Sequence, residues 1–122
     1  MESTQRRPLI VMQSAPYRGS LARAALDVAL SYAVFSQQPG ILFSGDAVLG
    51  LIADQQPETL GRKSLRKVVD SMPLYDIDEI YVDGDALDSH GVPRSKLPEF
   101  ARILGPAELR SLREQASHVL SL

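Results

Sequence analysis

Pro8-Leu9-Ile10-Val11-Met12 is apolar at every position and does not alternate. A strand with one wet face alternates apolar and polar residues. A continuous run belongs to a strand covered on both faces, the usual condition of a parallel sheet under helices. The theme returns twice, with Ile41-Leu42-Phe43-Ser44 as a second strand and Glu79-Ile80-Tyr81-Val82 as a third. Phe100–Leu104 is a weaker strand candidate and His118–Leu122 a final one. Between these runs lie stretches of helical character, so the chain reads as α/β with crossover helices. The expected product is a mostly parallel, four- or five-stranded sheet with helices on both faces. Its strand order is left open.

The helices have recognisable ends. A long one is expected over residues 20–36, after the turn-rich Ser14-Ala15-Pro16-Tyr17-Arg18-Gly19 and before Pro39-Gly40. Asp46 is the expected N-cap of a short helix running through Ile52, and 55–61 is loop. Lys63–Met72 carries Leu65, Val68, Val69 and Met72 on one face, and Pro73 stops it. Residues 86–89 predict one helical turn that ends at Gly91. Pro106 opens the last helix, which continues over Glu108–Ala116. Residues 1–7 are polar and read as a disordered tail with no signal-peptide pattern, leaving 8–122 as a single domain.

The first helix bears on association. On a helical wheel Ser20, Arg23, Asp27 and Ser31 fall on one stripe about 80° wide, and the apolar and alanine-lined arc opposite covers about 220°. A surface helix needs only about 100°. Either neighbouring helices of the same domain cover the excess, or part of the arc meets another subunit. The interface expectation names Tyr32 and Phe35 here, together with Val48 and Leu49 on the short helix.

Composition closes several routes. The chain has 122 residues and no cysteine, so thiolate chemistry, zinc-thiolate sites and disulfides are excluded. A formal charge of −2 gives no global reason to expect nucleic-acid binding. The most apolar segment, 21–35, is too short to span a bilayer and contains Arg23 and Asp27. A cytoplasmic protein without a membrane role is the expectation.

Motifs for chemistry are weak. His90 and His118 lack metal-site spacing and read as solvated or locally satisfied, so no metal is expected. There is no nucleophile elbow and no glycine-rich nucleotide loop, so neither a catalytic residue nor a cofactor is assigned. Asp83-Gly84-Asp85 with Asp88 fails as a calcium loop, because Leu87 and Asp88 stand where an oxygen ligand and a glycine are required. Arg62, Lys63, Arg66 and Lys67 form a basic face, either solvated or a phosphate contact. The 14–19 loop leads into a helix N-terminus, where an anion is favoured. A stand-alone protein binding a small ligand or anion there is the alternative function.

Several segments in order carry a resemblance: Ser14-Ala15-Pro16, Arg23-Ala24-Ala25-Leu26-Asp27, Asp46-Ala47-Val48, Leu74-Tyr75-Asp76-Ile77 and Tyr81-Val82. Together they resemble the DsrE/DsrF-like family over nearly the whole chain. The resemblance implies a three-layer α/β/α fold. It also implies a subunit that assembles with TusB- and TusD-like partners into a heterohexamer, a dimer of heterotrimers, and touches tRNA indirectly at most. Such complexes pass persulfide sulfur toward 2-thiolation of the wobble uridine of tRNA, and related ones serve sulfur oxidation. Many relatives carry a cysteine directly after the third strand. This chain has Asp83 there, and Ala47 stands where a glycine is usual. On this reading the chain is a non-catalytic, structural subunit.

Overall fold

Each continuous apolar run becomes a strand. The computed structural model describes residues 7–13, 24, 27–31, 38–52 and 65–122. Within them lie β1 (Leu9–Met12), β2 (Gly40–Phe43), β3 (Ile80–Asp83), β4 (Arg102–Leu104) and β5 (Val119–Ser121). They form one sheet in the order β4-β3-β2-β1-β5, and every pairing is parallel. The register sets Ile10 beside Ile41 and Ile41 beside Ile80, so one row of isoleucines crosses the sheet centre.

The strand order explains how both faces are covered. From β1 to β4 the chain steps outward in one direction, and right-handed crossovers lay the intervening helices on one face. That face packs Ile10, Met12, Ile41, Phe43, Ile80 and Val82 against Ala29, Val48, Leu51, Val69, Met72 and Leu87. The return from β4 to β5 runs back across the sheet. Its helix therefore lands on the opposite face, where Leu9, Val11, Leu42 and Tyr81 meet Leu109, Leu112 and Ala116. Helix, sheet and helix make three layers, as the resemblance implied.

The helices differ from the sequence expectation in informative ways. The first helix, α1, is described over residues 27–31. Ala29 is fully buried while Asp27 and Ser31 are exposed, which matches the wheel. Tyr32, Phe35 and the 14–19 loop lie outside the described residues. Helix α2 (Leu65–Ser71) does not simply stop at Pro73; it tightens into a 3₁₀ turn, Met72–Tyr75. Proline lacks the N–H that would continue an α-helix but fits the start of a new turn. That turn closes at Asp76, whose φ of 64° lets its N–H reach the carbonyls of Met72 and Pro73.

The expected single turn at 86–89 is a full helix, α3 (Gly84–His90), entered directly from β3. Gly91 ends it with φ 64°. A 3₁₀ turn at Arg94–Lys96 had no sequence signal. The last helix, α4 (Pro106–Gln115), begins at the expected proline, and the Glu108 carboxylate reaches back to the Gly105 N–H at 3.0 Å. Among the described residues no helix is long and apolar enough to cross a membrane.

Arg66 departs from the expected basic face. Its guanidinium donates to the carbonyls of Leu51 at 2.7 Å and Lys96 at 2.6 Å, and to Asp70 at 2.9 Å. Leu51 and Lys96 each end a 3₁₀ segment, so one side chain satisfies two helix termini whose carbonyls have no intrahelical partner. At the sheet's other end the Arg7 carbonyl accepts from Ser117 N–H at 2.9 Å. The Arg7 guanidinium pairs with Glu79.

Candidate functional site

In a parallel sheet all strands point the same way, so the loops after their C-terminal ends converge on one edge. Ligand and reaction sites of open α/β folds gather there. Here that edge carries Ser44 and Asp46 after β2, and Asp83 and Asp85 where β3 runs into α3. His90 reaches it from the far end of α3.

Asp46 is not a cap, which corrects the expectation. The short helix after β2 is a 3₁₀ helix, Gly45–Leu51, and its N-cap residue is Ser44, whose side chain makes no capping bond. Gly45, at φ 53°, makes the sharp exit from the strand, a conformation that glycine adopts at no steric cost. Asp46 is thereby the second residue of the helix, two positions past the cap. Its carboxylate lies 3.0 Å from His90 Nε2 instead, tying this helix to the end of α3.

The capping role belongs to Asp83. One carboxylate oxygen accepts the Asp85 N–H at 3.0 Å, and the other accepts the Ser44 hydroxyl at 3.1 Å. The first bond caps α3 and the second clips the ends of β2 and β3 together. The residue that follows has no room for a side chain because β4 presses against it: a Cβ on Gly84 would lie 3.2 Å from Ile103 Cγ2 and 3.3 Å from the Leu104 carbonyl.

The geometry has definite chemical consequences. The Ser44 hydroxyl is given to Asp83, while His90 is paired with Asp46, so the two pairs do not form a nucleophile–base–orienter chain. A carboxylate at position 83 also offers no sulfur. Of the residues named for an interface, Val48 has no exposed surface and belongs to this chain's own core. A fully buried side chain cannot present itself to a partner. Its neighbour Leu49 is half-buried and packs against the same core.

The Asp46–His90 pair was missed because its members carry no local motif. Both side chains are partly exposed, at 50% and 28%, and exposed ion pairs contribute about 0–1 kcal/mol. Asp46→Asn is therefore expected to shift thermal stability by no more than about 1 kcal/mol, read by calorimetry at neutral pH. A larger loss would mean that Asp46 does more than hold His90.

The opposite face carries a second feature, an open groove of about 350 Å³ between α4 and the β3–β4 corner, lined by Tyr81, Leu104, Ala107, Glu108, Ser111, Leu112 and Gln115. The Tyr81 hydroxyl donates to Glu79 at 2.6 Å. Burial, followed by that hydrogen bond and the nearby Glu79 charge, pushes its pKa up to about 12, against smaller opposing effects of Arg102 and Arg7. The folded state thus favours neutral Tyr81. Its stabilising contribution is complete below about pH 10, the unfolded value, and is lost as pH rises toward 12. Phenolate absorbance at 295 nm is expected to show a late-ionising component that is lost in Tyr81→Phe.

The fold and this edge define a class of protein: a parallel sheet of five strands between helices, with the C-terminal end of its third strand held by a carboxylate. The family model described as DsrE/DsrF-like matches residues 7–122. The Protein TusC homolog of Pseudomonas aeruginosa is 31% identical over 114 residues, covering 93% of this chain and 96% of that protein. The Intracellular sulfur oxidation protein DsrF of Allochromatium vinosum is 31% identical over 101 residues, covering 83% of this chain and 74% of that protein. Among solved structures, the E. coli ychN protein superposes with a TM-score of 0.83 at 18% identity, covering 97% of this chain and 100% of that one. The chain belongs to the DsrE/DsrF-like family, and its similarity to TusC and DsrF proteins runs over most of its length.

Proposed function

We propose that this chain is a non-catalytic structural subunit of a cytoplasmic sulfur-relay complex. It assembles with TusB- and TusD-like subunits as a dimer of heterotrimers and supports persulfide transfer toward 2-thiolation of the tRNA wobble uridine. Its own contact with tRNA is indirect at most.

The observation that carries this reading is Asp83. By the family resemblance it stands where many relatives carry cysteine; this chain has no cysteine anywhere, and both Asp83 carboxylate oxygens are committed to holding the edge together. Persulfide transfer proceeds by thiolate attack on sulfur. Hydroxyl and carboxylate oxygens lack the soft nucleophilicity to carry it. What remains for this subunit is to hold a cysteine-bearing partner in place.

The test offers the purified chain a labelled persulfide donor. No label is expected on it. With a cysteine-bearing partner added, all label should sit on the partner, and onward transfer should require this chain. Asp83→Cys is expected to acquire label only in the assembled complex, at a cost of about 1 kcal/mol from the lost helix cap. Stable addition of one sulfur to the unmodified chain would overturn the reading.

A further inference from the structure

Leu74 and Tyr75 are adjacent, large and apolar, yet 84% and 55% exposed. They are not on a slack loop. The 3₁₀ turn that carries them is anchored on both sides by fully buried residues, Met72 and Ile77. The Ile77 N–H bonds back to the Met72 carbonyl at 3.1 Å, and the Asp76 N–H to the Pro73 carbonyl at 3.1 Å. Pro73 fixes one further backbone angle within the turn. The two side chains are thus presented on backbone that is already ordered, which lowers the entropic cost of docking. Tyrosine is among the residues most enriched at binding hot spots.

The surroundings indicate what would cover them. Residues 68–80 contain Asp70, Asp76, Asp78 and Glu79 and no lysine or arginine. Asp76 and Asp78 are exposed and supply the local negative charge, since Asp70 is paired with Arg66 and Glu79 with Arg7. Acidic flanks disfavour an anionic lipid surface, which attracts basic segments, and they complement a basic protein rim.

We propose that the Met72–Tyr75 turn is a docking element whose Leu74 and Tyr75 side chains seat in an apolar pocket with a basic rim on a neighbouring protein subunit. The proposal rests on the subunit reading above and adds which surface of this chain makes the contact. The flanking aspartates steer the approach, and the two apolar side chains hold the contact once formed.

The experiment co-expresses the full chain with the TusB- and TusD-like proteins of its own organism and measures assembly mass by light scattering after gel filtration. Wild type is expected to assemble. Leu74→Asp and Tyr75→Asp should each weaken assembly by 100-fold or more while keeping wild-type thermal unfolding, because neither residue is part of the core. Asp76→Asn with Asp78→Asn should slow association several-fold at low salt and flatten its salt dependence; asparagine tolerates the left-handed backbone at 76.

If wild type assembles and both aspartate variants assemble equally well, the docking proposal is wrong and the subunit reading stands. Failure of the wild-type chain to assemble removes the subunit reading, and this proposal with it. Binding of wild type to phosphatidylglycerol–phosphatidylcholine vesicles, lost in Leu74→Asp, would assign the turn to a membrane and also overturn the proposal.

Discussion

Val48→Asp is expected to abolish the folded state, whereas Leu49→Asp leaves it standing. Val48 sits fully buried beneath the Gly45–Leu51 3₁₀ helix, in the cluster that contains Ile10, Phe43 and Leu51. A carboxylate there would be buried without a charged partner. Losses of more than about 4 kcal/mol follow from that mechanism, against a total stability of about 5–15 kcal/mol for a domain. Leu49 keeps part of its surface in water, so Leu49→Asp gives up only partial burial, about 1–2 kcal/mol. Urea titration followed by far-ultraviolet circular dichroism distinguishes the two. A cooperative Val48→Asp protein with a near-native midpoint would show that this helix is not seated as described.

Arg66→Met is the second large effect, a loss of about 3 kcal/mol. The methionine keeps the apolar stem but strands the carbonyls of Leu51 and Lys96, each of which now accepts a charge-assisted bond. Such bonds contribute about 1.5–3 kcal/mol each, and neighbouring groups or water recover part of the loss. Arg66→Lys should recover only a fraction: Nη1 of arginine donates to both carbonyls while Nε holds Asp70, and a single ammonium without that rigid planar arrangement cannot serve all three acceptors as well. Asp70→Asn breaks only the exposed i,i+4 pair and should cost about 0.5 kcal/mol. Equal losses in Arg66→Met and Asp70→Asn would assign the effect to the ion pair rather than the carbonyls.

The two cases separate kinds of information in the chain. Hydrophobic periodicity correctly marked Val69 and Met72 as buried, although Met72 opens the 3₁₀ turn that follows the helix. It could not separate Val48 from Leu49, because a short 3₁₀ helix has too few turns to define a face. The basic face at 62–67 looked uniform in sequence. What sets Arg66 apart is that the packed backbone brings the Leu51 and Lys96 carbonyls within its reach.

The candidate edge divides in the same way. That Asp83 stands at the exit of the third strand was legible, though the strand runs one residue further than expected, through Asp83 itself; so was the lack of any thiol. That Asp83, not Asp46, caps the following helix was not. Both aspartates follow a strand and precede apolar residues. The difference is the backbone: Gly45 turns with positive φ and carries Asp46 past the capping position, whereas β3 passes into α3 with Asp83 still extended, at φ −72° and ψ 113°.

What the sequence alone determined is local: continuous apolar runs make buried parallel strands, proline and glycine mark most of the boundaries, and a missing element closes a branch of chemistry. Strand order, the pairing of Ser44 with Asp83 across 39 residues and the reach of Arg66 across 30 were decided by tertiary structure. A strand's pattern records whether its faces are covered but not by which neighbour. A polar side chain has many chemically equivalent partners, and only the packed backbone selects the one within hydrogen-bond distance.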